Sequence, residues 1–286
     1  MLGIRRVAGA TYHRIFLRGL ENQPRIFCNS YPKSGTHLLK NMVSALPKLH
    51  SHNRGAYWNC VSRSRVDTRK SSALPAVVKK LSECLGGEVY QGHVEATPEI
   101  SDCLQTHDFK TLFIYRDPRD VVVSLLYWWG QHTETDTWPY RYFRKLQSKD
   151  ERLSFLIQGW PEKPKLAGFP EQIQFPDIAN RFALYRPWLS EPSCLSVRFE
   201  DLRNLETRDL TCRRIVSHVL GDSQDMPIDS MVDRMIAGGA WNRSQTFRNG
   251  TGGEWRKLFK TDHIETFKHH AGQLLMELEY ETDMDW

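Results

Sequence analysis

The chain has 286 residues, 40% hydrophobic and 26% charged, which is enough apolar material to bury a core in one large domain or two small ones. No run of about 18 apolar residues occurs, and the stretch from Leu112 to Trp129 is broken by Arg116, Asp117, Arg119 and Asp120, so no membrane-spanning helix is expected. The formal charge of +5 suits an anionic small ligand, while six scattered cysteines without a CxxC pair argue against zinc and fit thiols kept reduced in the cytoplasm.

Residues 1–24 carry Arg5, Arg6, Arg14 and Arg18 before the first acid, Glu21. This basic segment reads as a helix docked on the domain; contact with a membrane surface is the alternative. Arg25 to Asn29 (RIFCN) reads as a buried strand ending at Ser30-Tyr31-Pro32. Leu38, Leu39, Met42, Val43 and Leu46 then recur at helical spacing up to Pro47. The basic stretch 51–72 (Arg54, Arg63, Arg65, Arg69, Lys70) reads as a loop, and Glu88 to His93 as a second strand. Lys110 to Tyr115 is the clearest strand, with a helix after it from Pro118 to Gly130. Residues 132–176, rich in proline and aromatics, read as an irregular covering segment with short helices. Then come a helix at Ile178 to Leu189, a strand at Cys194 to Phe199, and helices at Asp209 to Leu220 and Asp229 to Ala237. A glycine-rich loop from Thr246 to Gly253 precedes a last helix at Asp262 to Leu278. Strands alternating with helices predict an α/β fold, with a central parallel sheet flanked by helices on both faces.

Two motifs stand where strands end. The first, Tyr31-Pro32-Lys33-Ser34-Gly35-Thr36-His37, joins a strand to a helix. Gly35 permits close backbone approach, N–H groups at the helix start face an anion, and Lys33 adds a charge. The alternative is a turn that serves only as punctuation. Its lysine precedes the glycine, unlike the GxxxxGK[ST] loop of ATP and GTP enzymes. The second motif is Arg116-Asp117-Pro118-Arg119-Asp120-Val121-Val122-Val123-Ser124. It places Arg116 at the carboxyl end of a strand, where open α/β sheets bind ligands. An Arg116–Asp120 ion pair capping the helix, with Ser124 incidental, is the competing view.

Together the motifs resemble those of the PAPS-dependent sulfotransferase family, PAPS being 3'-phosphoadenosine 5'-phosphosulfate. YPKSGTH is similar to the family's P-loop-like phosphosulfate loop, and RDPRDVVVS to its 3'-phosphate motif. Phe247-Arg248-Asn249-Gly250 with Gly253-Glu254-Trp255-Arg256 is similar to its C-terminal loop. The resemblance implies a single sulfotransferase domain over 25–286, PAPS as donor, PAP as product and no metal. It implies that Lys33 contacts the bridging oxygen, that Ser34, Gly35, Thr36 and His37 hold the 5'-phosphate, and that Arg116, Ser124, Arg248 and Gly250 hold the 3'-phosphate. His93, in Gln91-Gly92-His93, falls where the family places its catalytic base. By the same resemblance Ser124 restrains Lys33 until acceptor binds.

His37 and Leu38 depart from the family's threonine and tryptophan, Phe199 from its tyrosine, and Asn249 from a basic residue at the 3'-phosphate; Trp241 is a candidate stacking surface for the adenine. The expected reaction moves a sulfuryl group from PAPS to a hydroxyl or amine of a small-molecule or glycan acceptor, with no nucleic-acid partner. Tyr127, Trp128, Trp129, Trp138, Tyr140 and Tyr142 line an acceptor pocket or form core. A magnesium-dependent nucleotide kinase and a non-catalytic PAP- or anion-binding member of the family are the rival functions; oligomeric state and acceptor are open at this stage.

Overall fold

The computed structural model describes residues 20, 22–66, 73–131, 136–160, 167–221, 226–239 and 252–286, with the backbone alone at 52–54. In chain order these form β1 (Arg25–Ser30), α1 (Thr36–Val43), β2 (His50–Trp58), α2 (Cys60–Arg63), α3 (Leu74–Ser82) and β3 (Glu88–Val94). Next come α4 (Pro98–Thr106), β4 (Phe109–Tyr115), α5 (Pro118–Gln131), α6 (Trp138–Phe143), α7 (Lys149–Gln158) and α8 (Ile178–Ala183). A 3-10 turn (Arg186–Leu189), β5 (Cys194–Arg198), α9 (Arg208–Leu220), α10 (Ile228–Gly238), α11 (Trp255–Leu258) and α12 (Thr261–Glu277) complete the described chain.

Strands β1 and β4 are apolar on both sides, which forces helices onto both faces of the sheet. Ile26 and Cys28 enter one core with Leu112 and Ile114, while Phe27 and Phe113 enter the other. The first core is closed by α1 (Leu39, Met42, Val43), α9 (Ile215, Val216) and α10 (Val232, Met235). The second is closed by α3, α4, α5, α7, α8 and α12, through side chains such as Val77, Leu104, Val122, Leu156, Phe182 and Leu274. Among the described residues the sheet pairings are parallel, in the order β2-β3-β1-β4-β5. The fold is therefore a single α/β domain with a central parallel sheet, as the alternating pattern predicts. The chain leaves β1 for the far edge, returns to β3, then crosses to β4, so the carboxyl ends of β3, β1 and β4 lie side by side at the switch of direction.

Most of the expected elements lie within a few residues of their observed positions, and the main correction is at 51–72. Residues 50–58 are not loop but the edge strand β2, paired with β3 and irregular between Ser51 and Gly55. A polar, basic sequence hides a strand when only one side of its backbone must pair, and edge strands favour such charges. The short helix α2 follows, capped by Asn59; residues 67–72 lie outside the described chain. Helix α1 ends at Val43, ahead of Pro47, and the stretch expected as one helix over 178–189 breaks into α8 and the 3-10 turn containing Pro187. Among the described residues no helix is long and apolar enough to cross a membrane.

Candidate functional site

The loop from Tyr31 to Gly35 turns sharply where β1 gives way to α1. Gly35 has φ 100°, in the left-handed region, and a Cβ there would sit 2.6 Å from Cδ2 of Phe199. Lys33 also adopts a left-handed φ, 70°, a conformation that costs a side-chain-bearing residue about 1–3 kcal/mol and that clusters at functional sites. Helix α1 has no side-chain N-cap and no acid in its first turn, so its N-terminus keeps its partial positive charge. Ser34 Oγ is fully buried with no hydrogen-bond partner among the described residues. Burying a hydroxyl unpaired costs about 1–3 kcal/mol, which an anion seated in the loop would recover. Lys33 Nζ lies 5.0 Å from the ring centre of Trp128. Burial, with the nearby Arg116 charge, pushes the Lys33 pKa down to about 8.

We expect Gly35→Ala to lower the melting temperature by several degrees, the effect of roughly 1–3 kcal/mol of strain in a domain of this size. A thermal melt checks this. An unchanged melting point would show that Phe199 and the loop relax around the new methyl group.

His93 sits at the carboxyl end of β3, next to that loop. Regular pairing of β1 with β3 stops at Asn29 and Gly92. The buried Asn29 side chain carries it further: Nδ2 donates to Val94 O and Oδ1 accepts from Val94 N–H, both at 2.9 Å. Asn59 Nδ2 donates to His93 O at 3.1 Å, and Trp188 Nε1 donates to Val94 O at 2.9 Å. The His93 peptide is thus held on both sides. Its ring lies 5.6 Å from that of Tyr57, and Nδ1 is 2.9 Å from Ser30 Oγ and 3.3 Å from Ser30 O. Ser30 Oγ is in turn 2.5 Å from Thr36 Oγ1. Burial drives the His93 pKa down to about 4, so the imidazole is neutral at pH 7.

Arg116 follows β4. Its guanidinium lies 4.5 Å from the ring centre of Phe199, whose edge blocks Gly35, and Nη2 lies 3.5 Å from Asp120 Oδ2. The ion pair weighed against ligand binding is therefore present, but it does not only cap a helix. Asp120 also accepts the N–H of Gly253 at 2.7 Å and of Trp255 at 3.2 Å, tying the arginine motif to the C-terminal loop. Arg119 lies between Trp255 and Trp286, at 4.1 and 4.5 Å, and bonds Asp117 at 2.8 Å.

The fold brings together Lys33, Ser34, Gly35, Thr36, His93, Arg116 and Phe199. His37 is exposed on the first turn of α1, and Ser124 is half-buried one turn beyond Asp120. Trp241, Arg248, Asn249 and Gly250 lie outside the described residues. Of the six aromatics considered for an acceptor pocket, Trp129, Trp138 and Tyr140 are buried, whereas Tyr127, Trp128 and Tyr142 are partly open. Asn29, Ser30 and Asn59 are supporting residues that motif reading missed, and Asp120, weighed there only as a partner of Arg116, also holds the C-terminal loop. The one signal for the first two was a pair of polar residues closing an otherwise apolar strand.

Three comparisons bear on this arrangement. The sequence profile of the sulfotransferase domain family matches residues 23–204, a span that includes the loop, His93, Arg116 and Phe199. The chain belongs to the sulfotransferase domain family. No curated protein matches the sequence of this sulfotransferase-family chain. Among solved structures it is similar to the mouse sulfotransferase SULT7A1 complexed with PAP, with TM-score 0.57, 14% identity and coverage of 91% of this chain and 88% of that one. It is also similar to retinol dehydratase in complex with androsterone and inactive cofactor PAP, with TM-score 0.54, 14% identity and coverage of 90% and 83%. A second structure of retinol dehydratase, in a complex with retinol and PAP, matches with the same values. At this identity the likeness is one of fold.

Proposed function

We propose that this sulfotransferase moves a sulfuryl group from PAPS to a hydroxyl or amine of a small-molecule or glycan acceptor. The observation that carries this reading is convergence. A partly buried lysine in a phosphate-type loop, a neutral histidine and a stacked arginine stand at the carboxyl ends of three adjacent strands, β1, β3 and β4. The unpaired Ser34 hydroxyl and the uncapped N-terminus of α1 fit a phosphate group. Lys33, Ser34, Gly35, Thr36 and His37 would hold the 5' end of the nucleotide. Arg116, Ser124, Arg248 and Gly250 would hold the 3'-phosphate, with Phe199 supporting Arg116 from below; Asn249 beside them and Trp241 toward the adenine complete the assignment. PAPS supplies an activated sulfuryl group and a good leaving phosphate.

The chain's own residues supply position, charge and a proton acceptor. His93, neutral at pH 7, accepts the acceptor's proton. Lys33 and the first N–H groups of α1 stabilise the charge that grows at the loop, in a partly dry site where such interactions are strong. The complexes of retinol dehydratase with androsterone and retinol support a small molecule as acceptor. With all six cysteines unpaired, we place the enzyme in a reducing compartment, the cytoplasm.

Transfer of label from PAPS to a panel of phenols, alcohols, sugars and amines, in the presence of a chelator, tests the proposal. We expect one acceptor class to be labelled, and Arg116→Ala to raise the KM for PAPS by about tenfold or more. Labelling of no class despite PAP binding would favour a binding protein, and phosphoryl transfer from magnesium-ATP would favour a kinase.

A further inference from the structure

The hydrogen-bond chain behind His93 has only one way to run when a phosphate is present. Its links are Thr36 Oγ1 to Ser30 Oγ at 2.5 Å and Ser30 Oγ to His93 Nδ1 at 2.9 Å. Thr36 and Ser30 are buried, at 6% and 0% exposure, so water does not substitute for either link. Each hydroxyl has a single proton to give, and a neutral imidazole carries its proton on one nitrogen only. Ser30 Oγ also lies 3.5 Å from Gly92 O, at the limit of a hydrogen bond, so two patterns keep both of the short links. In one, Thr36 donates to Ser30 and Ser30 donates to a bare Nδ1, which leaves the proton on Nε2. In the other every arrow is reversed: Nδ1–H donates to Ser30, Ser30 donates to Thr36, and the Thr36 proton points outward from the chain.

Thr36 is the first residue of α1, in the loop assigned to the 5'-phosphate. A phosphate oxygen only accepts hydrogen bonds. Once it takes the Thr36 proton, Thr36 can no longer donate to Ser30, and the second pattern is the one that satisfies all three groups. We propose that occupancy of the phosphate loop selects the tautomer of His93 through Thr36 and Ser30. Nδ1 becomes the protonated nitrogen, and Nε2 is left bare to receive the acceptor's proton. The Ser30 carbonyl, 3.3 Å from Nδ1, can only accept and leans the ring the same way. Asn29 and Asn59, which hold the peptide that follows His93, fix the backbone that carries the ring beside Ser30. Ser30 and Thr36 are thereby positioning residues for the base, and the base is fully prepared only after the donor has bound. The inference rests on the reading of His93 as base and of the loop as a phosphate site.

The test uses full-length protein labelled with nitrogen-15 at histidine, with His93 assigned by loss of its signals in His93→Gln. Two-bond proton–nitrogen spectra report which ring nitrogen bears the proton, independently of turnover. On titration with PAP, which carries a 5'-phosphate but no sulfuryl group, the Nδ1–H form of His93 should grow to dominate. In Ser30→Ala that response should vanish while PAP still binds, and turnover should fall about 10- to 100-fold, by analogy with partners that orient metal-bound histidines. Ser30→Thr, which keeps the hydroxyl, should restore both. A tautomer that ignores PAP in the wild type, or that still responds in Ser30→Ala, overturns the coupling. Failure of the underlying assignments shows separately: full turnover in His93→Gln removes the base, and absence of PAP binding removes the phosphate site.

Discussion

His93→Gln should cut kcat about 10²- to 10⁴-fold, the range supplied by a positioned general base, while PAP binds as in the wild type. Glutamine preserves the size and polarity of the side chain but has no lone pair basic enough to take a proton. The Asn29, Asn59 and Trp188 bonds to the backbone around position 93 survive the change, so loss of fold is not the expected route to loss of rate. The pH profile carries the sign of the effect. Burial holds the free His93 pKa at about 4, and the base works when deprotonated, so kcat/KM for acceptor should fall only as the pH drops through that region. An anionic donor beside the ring favours the imidazolium and moves its pKa up toward the working pH. The acid limb of kcat, measured with donor saturating, should therefore lie at higher pH than the limb of the free enzyme, and His93→Gln should lack both. A variant with unchanged kcat, or acid limbs that persist in it, would assign the proton to another group.

Lys33→Ala is the second large effect, a loss of about 10²- to 10³-fold in kcat, as when one donor to a developing negative charge is removed. In the proposed role Lys33 acts in its protonated form. Burial and Arg116 hold its pKa at about 8 in the free enzyme, so activity should decline as the pH rises through that value. Bound phosphosulfate stabilises the ammonium and pushes the decline to higher pH when donor saturates. Lys33→Arg should recover little, because a planar guanidinium on a residue with φ 70° cannot place a compact charge at the same point. An alkaline limb that remains in Lys33→Ala would contradict the assignment, as would a loss confined to KM.

The two motifs and the strand-helix alternation were legible because each lies at a strand end whose hydrophobic run is unambiguous. RIFCN and KTLFIY feed both cores, which marks β1 and β4 and hence where the loop and Arg116 stand. Strand β2 was illegible for the opposite reason: it is an edge, paired on one side, and needs no apolar run. Phe199 was visible as an aromatic departure from the family, but its contact with Gly35 and Arg116 joins residues more than 80 positions apart in sequence and exists only once β4 and β5 pair. The same holds for Asp120, whose partners Gly253 and Trp255 lie 133 and 135 positions further along the chain. Asn29 and Asn59 escaped because an amide clamp on a backbone has no spacing rule; it depends on register, which motif reading does not resolve.

The central claim is that this site takes a nucleotide bearing a 3'-phosphate. Calorimetric binding of PAP, 5'-AMP and magnesium-ATP to the wild type, the first two in a chelator, tests it most directly. The account predicts micromolar PAP binding without metal, and 5'-AMP, which lacks only the 3'-phosphate, weaker by about tenfold or more, the worth of one charge-assisted contact set. Equal affinity for PAP and 5'-AMP, or tight binding only of ATP with magnesium, would contradict it.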